Sequence, residues 1–138
     1  MSLTALDAAI LAKLQAISAL QVVQNEFSFE LSGYPAVTFE TTEGENEPYT
    51  NRDNLRSRNY EIVVHHEMWT RGRSFARASL EALVETIIAA FDSDLSLGGT
   101  CHFTRPVTWK FGTYTAANGD VMYVILLLKC VIEEQVLP

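Results

Sequence analysis

The chain has 138 residues, of which 48% are hydrophobic and 20% charged, a size and composition typical of one folded domain. Its 17 acidic and 10 basic residues give a formal net charge of −7. This balance argues against a protein that grips nucleic acid through its phosphates, because such a protein needs a basic surface. No apolar run approaches the roughly 18–20 residues of a membrane-spanning helix, so we expect no membrane partner. The first residues lack the basic start and the cleavage site of a signal peptide.

The first half of the chain predicts one helix followed by strands. The apolar stripe of this amphipathic helix consists of Leu6, Ile10, Leu14 and Ile17. Residues 20–29 are ambiguous and compatible with short strands. Residues 34–40 predict a strand entered through a proline. Residues 58–69 alternate between an apolar face that includes His66 and a half-polar face that includes His65.

The second half of the chain predicts a second helix and a β-hairpin. Residues 74–91 have a broad apolar face at helical spacing. Residues 100–115 and 121–134 form two strands around Asn118-Gly119, a strong turn signal. The apolar start of the last strand, residues 121–128, indicates a position in the middle of the sheet.

These elements predict an α+β fold within a single domain, residues 1–138. Its antiparallel-rich sheet of about four strands packs against two helices and ends in the C-terminal hairpin. Cys101 and Cys130 are expected to be small buried apolar side chains, because a cytosolic chain of this size gains little from a disulfide.

The connection formed by residues 41–57 is too long for a bare link between strands. Connections in compact domains usually have about 4–6 residues, and structureless ones beyond about 12–15 tend to be functional or disordered. Its charges are split between acids and arginines: Glu43, Glu45 and Glu47, then Arg52, Arg56 and, just beyond it, Arg58. We predict that residues 41–57 form a long mobile loop that carries the function.

No motif in the chain predicts catalysis, a metal or a cofactor. His65, His66, Glu67 and His102 invite a metal interpretation, but adjacent strand residues point to opposite faces, so the neighbouring histidines cannot easily share an ion. We expect a packed His66 and a surface His65. The sequence contains no nucleophile elbow and no glycine-rich phosphate loop. We therefore predict a protein that is not an enzyme and that has no catalytic residue, metal or cofactor.

Charge is distributed unevenly along the chain. Residues 26–47 contain six acids and no base, whereas residues 52–77 contain six bases and three acids. Both segments are either solvated surface or the two sides of a contact between identical chains, where complementary charge sets orientation. A head-to-tail contact of that kind can close into a ring. The candidate interface residues are these charges and the nearby aromatic anchors: Glu43, Glu45, Glu47, Tyr49, Arg52, Arg56, Arg58, Trp109, Phe111 and Tyr114.

The same segments carry a resemblance. The run YPAVTFE at residues 34–40, the acidic stretch after it, the Asn- and Arg-containing residues 49–58 and the alternating strand resemble small tail-completion proteins of long-tailed bacteriophages. These are the tail-terminator and head–tail joining proteins, and the likeness extends over most of the chain.

The resemblance implies a non-enzymatic virion protein, assembled in the cytoplasm of the bacterial host, that forms a homo-oligomeric ring, commonly a hexamer. It implies tail-tube and neck proteins as partners, with DNA met only in transit. Terminator, neck and tube roles share this kind of subunit and stay open. The alternatives are a small cellular ligand-binding α+β module, with a pocket between the second helix and the sheet, and an enzyme that uses His65, Glu67 or His102.

Overall fold

The computed structural model describes residues 3–28, 31–48, 53–94, 96–97 and 103–135. Its helices and strands, in chain order, are α1 Leu3–Gln15, β1 Val22–Asn25, β2 Ala36–Pro48, β3 Asp53–Glu67, α2 Arg73–Asp92, β4 Phe103–Ala116 and β5 Gly119–Gln135. Both helices lie where the apolar spacing predicts them. The ambiguous segment before residue 30 contributes the short strand β1.

The five strands form one sheet in the order β1-β2-β3-β5-β4. β1 runs parallel to β2, and the other neighbouring pairs are antiparallel. This arrangement confirms the predicted α+β class. The sheet has five strands where about four were predicted, and β1 is the additional one. Within the described ranges, neither helix is both long and apolar enough to cross a membrane.

The prediction of a long loop at residues 41–57 is wrong for residues 41–48 and 53–57, which the structure describes as strands. β2 continues to Pro48 and β3 begins at Asp53, and the two strands pair along their length with a β-bulge between Thr41 and Glu43. Residues 49–52 lie outside the described ranges. Polar composition predicts a loop, but a strand paired with a neighbour satisfies its backbone with few apolar side chains, so composition underestimates the strand length here.

The hydrophobic core lies between the helices and one face of the sheet. Alternate residues of β3 and β5 enter it, namely Tyr60, Ile62, Val64, Met122, Val124, Leu126, Leu128 and Cys130. The helices contribute the predicted stripes, which include Leu6, Ile10 and Leu14 of α1 and Leu80, Val84, Ile87 and Phe91 of α2. Each fully buried Leu, Ile or Phe contributes about 1.5–3 kcal/mol relative to an exposed one.

A polar contact ties α1 to β3 at the margin of this core. The hydroxyl group of the fully buried Tyr60 donates a hydrogen bond to Asp7 Oδ1. Burial, reinforced by the hydrogen bond to Asp7, raises the pKa of the Tyr60 hydroxyl above its ordinary range. The Tyr60 hydroxyl therefore stays protonated and keeps donating this hydrogen bond at neutral pH.

β4 and β5 form the predicted C-terminal hairpin. Ala116 pairs with Gly119, so the turn residues are Ala117 and Asn118, one position earlier than the sequence predicts. Gly119 has a backbone φ of 142°, a value that residues other than glycine rarely adopt. β5 lies between β3 and β4, as its apolar run predicts. Cys130 within it is fully buried, as expected, and Cys101 lies outside the described residues.

Candidate protein-interaction surface

Three strands of the sheet continue past the described core at one end. Among the β3 side chains whose burial is described, residues 57–67, the first in the core is Tyr60, whereas the strand itself begins at Asp53. β2 and β5 pair with β3 throughout this stretch. We call residues 43–48, 53–59 and 131–135 the arm. At about 3.3 Å per residue, the arm is roughly 20 Å long.

The arm contains most of the charged residues predicted to form an interface, but its register keeps the two signs apart. The Cα partners of Glu43, Glu45 and Glu47 are Asn59, Ser57 and Leu55, and those of Arg56 and Arg58 are Asn46 and Gly44. No acid of this set lies directly opposite one of these arginines within the chain. Tyr49 and Arg52 lie outside the described residues.

The predicted aromatic anchor Trp109 lies on the outer strand β4. Its side chain is 56% exposed, the most exposed of the large apolar side chains in the described residues. Beside it, α2 and β4 enclose an open groove of about 390 Å³ lined by Arg77, Glu81, Val84, Glu85, Ile88, Trp109 and Phe111. An exposed Trp next to a groove is typical of binding hot spots.

Phe111 is positioned differently from Trp109. It is partly buried against the core, and the Arg77 guanidinium lies 4.1 Å above its ring centroid. Arg77 also donates a hydrogen bond of 3.1 Å from Nε to Glu81 Oε1. Phe111 therefore forms the floor of the groove and is already covered within the chain, which leaves Trp109 as the accessible ring.

Tyr114 belongs to a cluster on the sheet face opposite the helices, and its central residue is His65. Contrary to the prediction of a surface histidine, His65 is fully buried. Its Nε2 lies 3.0 Å from Thr38 Oγ1, and its Nδ1 lies 2.8 Å from the Tyr114 hydroxyl. Phe27 packs on the imidazole with 5.3 Å between ring centroids. Alternation assigned this face of β3 to solvent, but the segment after β1 brings Phe27 over it.

Burial determines the protonation of His65. Desolvation lowers the pKa of His65 from 6.5 to about 4, because a charged imidazole loses its hydration in this cluster. A neutral ring has one N–H donor and one acceptor nitrogen. Thr38 and Tyr114 supply hydroxyl groups that can take either role, so both nitrogens are satisfied.

His66 has separate partners on the helix-facing side. It is 5% exposed, as its apolar face predicts, and its ring meets Phe75 with 5.7 Å between centroids. Its Nδ1 lies 2.9 Å from the backbone oxygen of Glu67. His65 and His66 thus point to opposite faces of β3. Among the residues that the structure describes, no three His, Cys, Asp or Glu side chains are grouped to hold a metal ion, and His102 is outside them.

The structure brings together residues that sequence reasoning did not connect. The His65 cluster unites Phe27, Thr38 and Tyr114 from three separate segments, and the groove places Trp109 beside α2. One signal was available for the cluster. Phe27 and Tyr114 are aromatic residues with no place in the helix-covered core, so they had to pack elsewhere or remain exposed.

The fold and these surfaces define an α+β protein whose strands β2, β3 and β5 stay paired well past Tyr60. No protein-family model matches the sequence, and the comparison with curated proteins gives no match. The functional interpretation therefore depends on the geometry of the arm, the outer strands and the groove.

Proposed function

We propose that this chain is a non-enzymatic assembly protein of a long-tailed bacteriophage virion. It forms a homo-oligomeric ring that ends the tail tube or joins the tail to the head. Tail-tube and neck proteins are its other partners, and DNA passes without specific binding. The protein assembles in the bacterial host cytoplasm and remains in the virion.

The arm is the observation that carries this proposal. Past Tyr60, the strands β2, β3 and β5 stay paired with one another for roughly 20 Å, as far as Pro48 and Gln135. Such an extension suits contact with another protein chain. Its acids and arginines supply the orientation that a repeated head-to-tail contact requires.

The subunit contact is tested by shortening the arm. Replacing residues 42–59 by Asn-Gly removes the β2 and β3 parts of the arm and joins the two strands directly after the Thr41–Tyr60 pair with a two-residue turn. We expect native mass spectrometry to show an oligomer of one size for the unmodified chain and a folded monomer for the shortened chain. A matched control replaces Ala117-Asn118, at the far end of β5, with the same Asn-Gly. An unmodified chain that stays monomeric at every concentration, or a shortened chain that still assembles, contradicts the proposal.

The virion role is tested separately from oligomer formation. Capsid and tail-tube genes beside the gene for this chain, and the chain itself in purified phage particles analysed by mass spectrometry, support it. Its absence from such particles contradicts the virion role and leaves the subunit contact standing.

The groove between α2 and β4 favours a second candidate, a small ligand-binding module. Its volume of about 390 Å³ and its lining by Trp109 and Phe111 suit an apolar ligand. A stable monomer whose Trp109 fluorescence changes on adding such a ligand, measured in a Trp69→Phe background, would favour this candidate over a ring.

A further inference from the structure

We propose that copies of this chain pair through their outer strands, with β4 of one copy adding antiparallel to the arm section of β2 in the next. This inference rests on the proposed ring and identifies the surface by which it closes. It makes the sheet continuous from one subunit to the next.

The order of the strands leaves two long outer edges. β4 pairs with β5 on one side, and no described strand pairs with its other side. β1 covers β2 only from Ala36 to Phe39, so from Glu40 onward the described strands flank β2 on the β3 side alone. An outer strand offers its backbone N–H and C=O groups to a strand from another molecule.

The strand directions suit a contact between these two different edges. Because β2–β3, β3–β5 and β5–β4 are all antiparallel, β2 runs antiparallel to β4. A second copy displaced across the sheet therefore presents its β2 antiparallel to β4 of the first, and antiparallel pairs are the commoner kind. The contact joins two unlike edges, so it repeats head to tail and closes into a ring when the rotation permits.

The charges of the two edges are complementary. β4 contains Arg105 and Lys110 and no acid, whereas residues 40–48 of β2 contain four acids and no base. Like charges oppose a β4–β4 or a β2–β2 contact, and opposite charges favour the mixed contact. Lys110 and Pro106 are also residues that discourage unselective pairing of an outer strand.

The position of β1 limits the register of this contact. β1 already occupies the edge of β2 up to Phe39, so a neighbour's β4 has access only from Glu40 onward. Thr115 lies near the end of β4, and we place it opposite Glu40, the first accessible residue of β2 in the neighbouring copy. Because the strands are antiparallel, this register brings Lys110 of β4 opposite Glu45 of the neighbouring β2.

The two register positions belong to the same face of the sheet. Lys110 pairs with Ile125, which pairs with Val63 of β3, and Glu45 pairs with Ser57 of β3. Positions 57 and 63 of β3 are an even number of residues apart and share a face, because successive strand residues alternate. The same register places Asn46 beside Trp109, so the incoming strand covers part of a ring that is now 56% exposed.

Charge reversal tests the inference. Lys110→Glu and Glu45→Lys are each expected to raise the dissociation constant of the oligomer at least about tenfold, and the double variant Lys110→Glu/Glu45→Lys to restore it to within about threefold. Lys13→Glu, which makes the same change on α1, is the control and should leave the dissociation constant unchanged. Circular dichroism verifies that each variant is folded. The edge pairing is overturned if the single variants leave the dissociation constant unchanged, or if the double variant has a higher dissociation constant than either single variant.

Disulfide trapping tests the same contact without relying on affinity. In a Cys101→Ser background, mixing Lys110→Cys with Glu45→Cys chains should give a cross-linked dimer under mild oxidation, whereas each variant alone should not. The chain that carries both cysteines should give a covalent ladder that ends at the ring size. Cross-linking of Lys110→Cys chains with one another indicates a β4–β4 contact and overturns the inference.

The outcomes separate this inference from the proposed function. An unmodified chain that forms a ring while neither the reversals nor the cysteine pair has an effect retains the proposed function and overturns the edge pairing. An unmodified chain that stays monomeric and does not cross-link at high concentration contradicts both.

Discussion

The imidazole of His65 and the phenol of Tyr114 hydrogen-bond across an intervening strand, with 2.8 Å between Nδ1 and the hydroxyl oxygen. His65 lies on β3 and Tyr114 on β4, and β5 separates the two strands. Two strand spacings amount to roughly 9.5 Å, so only long side chains that reach towards each other span the distance. This bond connects β3 to β4 across β5, on the sheet face opposite α1 and α2.

Protonation of His65 is expected to destabilise the fold below neutral pH. Its pKa falls from 6.5 in the unfolded chain to about 4 in the folded chain, because of burial. The unfolded state therefore binds more protons between these values, so the stabilisation is complete above pH 6.5 and is lost as the pH falls towards 4. The loss is about 1.4 kcal/mol per pH unit, or about 3 kcal/mol in total.

Urea unfolding at about pH 7.5, 5.5 and 4.5 measures this dependence. Carboxylates titrate in the same range, so the informative quantity is the difference between the unmodified chain and His65→Gln at each pH. That difference should shrink as the pH falls. A difference that stays constant from pH 7.5 to 4.5 contradicts the assignment.

Removal of the Tyr114 hydroxyl tests the hydrogen bond directly. Tyr114→Phe keeps the ring but leaves a buried imidazole nitrogen of His65 without its partner, and we expect a loss of about 1–3 kcal/mol in the free energy of unfolding. Tyr123→Phe, which removes a hydroxyl from the neighbouring ring 5.9 Å away between centroids, is the matched control. Equal losses in the two variants would show that the bond to His65 has no particular role.

Gly112 is expected to be required by the ring of Tyr123. The two residues are paired across β4 and β5, and a Cβ at position 112 would overlap Cζ and the hydroxyl oxygen of Tyr123. Gly112→Ala should cost about 1–3 kcal/mol of unfolding free energy through overpacking. In a Tyr123→Val background the same substitution should cost less. Calorimetry of the four proteins measures this coupling, and strictly additive losses would contradict the contact.

Trp109 is expected to contribute to assembly and little to folding. Because its side chain is 56% exposed, Trp109→Ser should change the free energy of unfolding by no more than about 0.5 kcal/mol. If the ring packs against a neighbouring chain, the same substitution should weaken the oligomer by about 2 kcal/mol, as truncation of a hot-spot residue does. Trp69→Ser, in the turn between β3 and α2, is the control because Trp69 is also exposed. A Trp109→Ser chain that assembles normally removes Trp109 from the interface.

Periodicity predicted the parts of the fold whose side chains have one clear environment. The stripes of both helices face the core, and the doubly apolar start of β5 lies inside the sheet. The arm escaped prediction because its strands are polar, and polar residues between two strands are typical of loops as well. The burial of His65 escaped it because alternation identifies two faces of a strand without indicating what covers each one.

For the candidate surface, the sequence predicted which residues contribute but not how they are arranged in the sheet. The sequence places acids before residue 48 and arginines after residue 52, and identifies Trp109 as an aromatic residue near the hairpin. The register of β2 and β3 then separates Glu45 from Arg56, and the strand order makes β4 an outer strand. Strand order depends on contacts between distant segments, which local spacing does not encode.

The sequence by itself determined the α+β class, the two amphipathic helices, the C-terminal hairpin and the charge split, because each follows from local periodicity, turn chemistry or composition. Only the tertiary structure decided that residues 41–48 and 53–57 are paired strands, that His65 is buried between Thr38 and Tyr114, and that β4 and the part of β2 beyond β1 form outer edges of opposite charge. The physical reason is that backbone pairing and burial are properties of neighbours in space, and these neighbours are far apart along the chain.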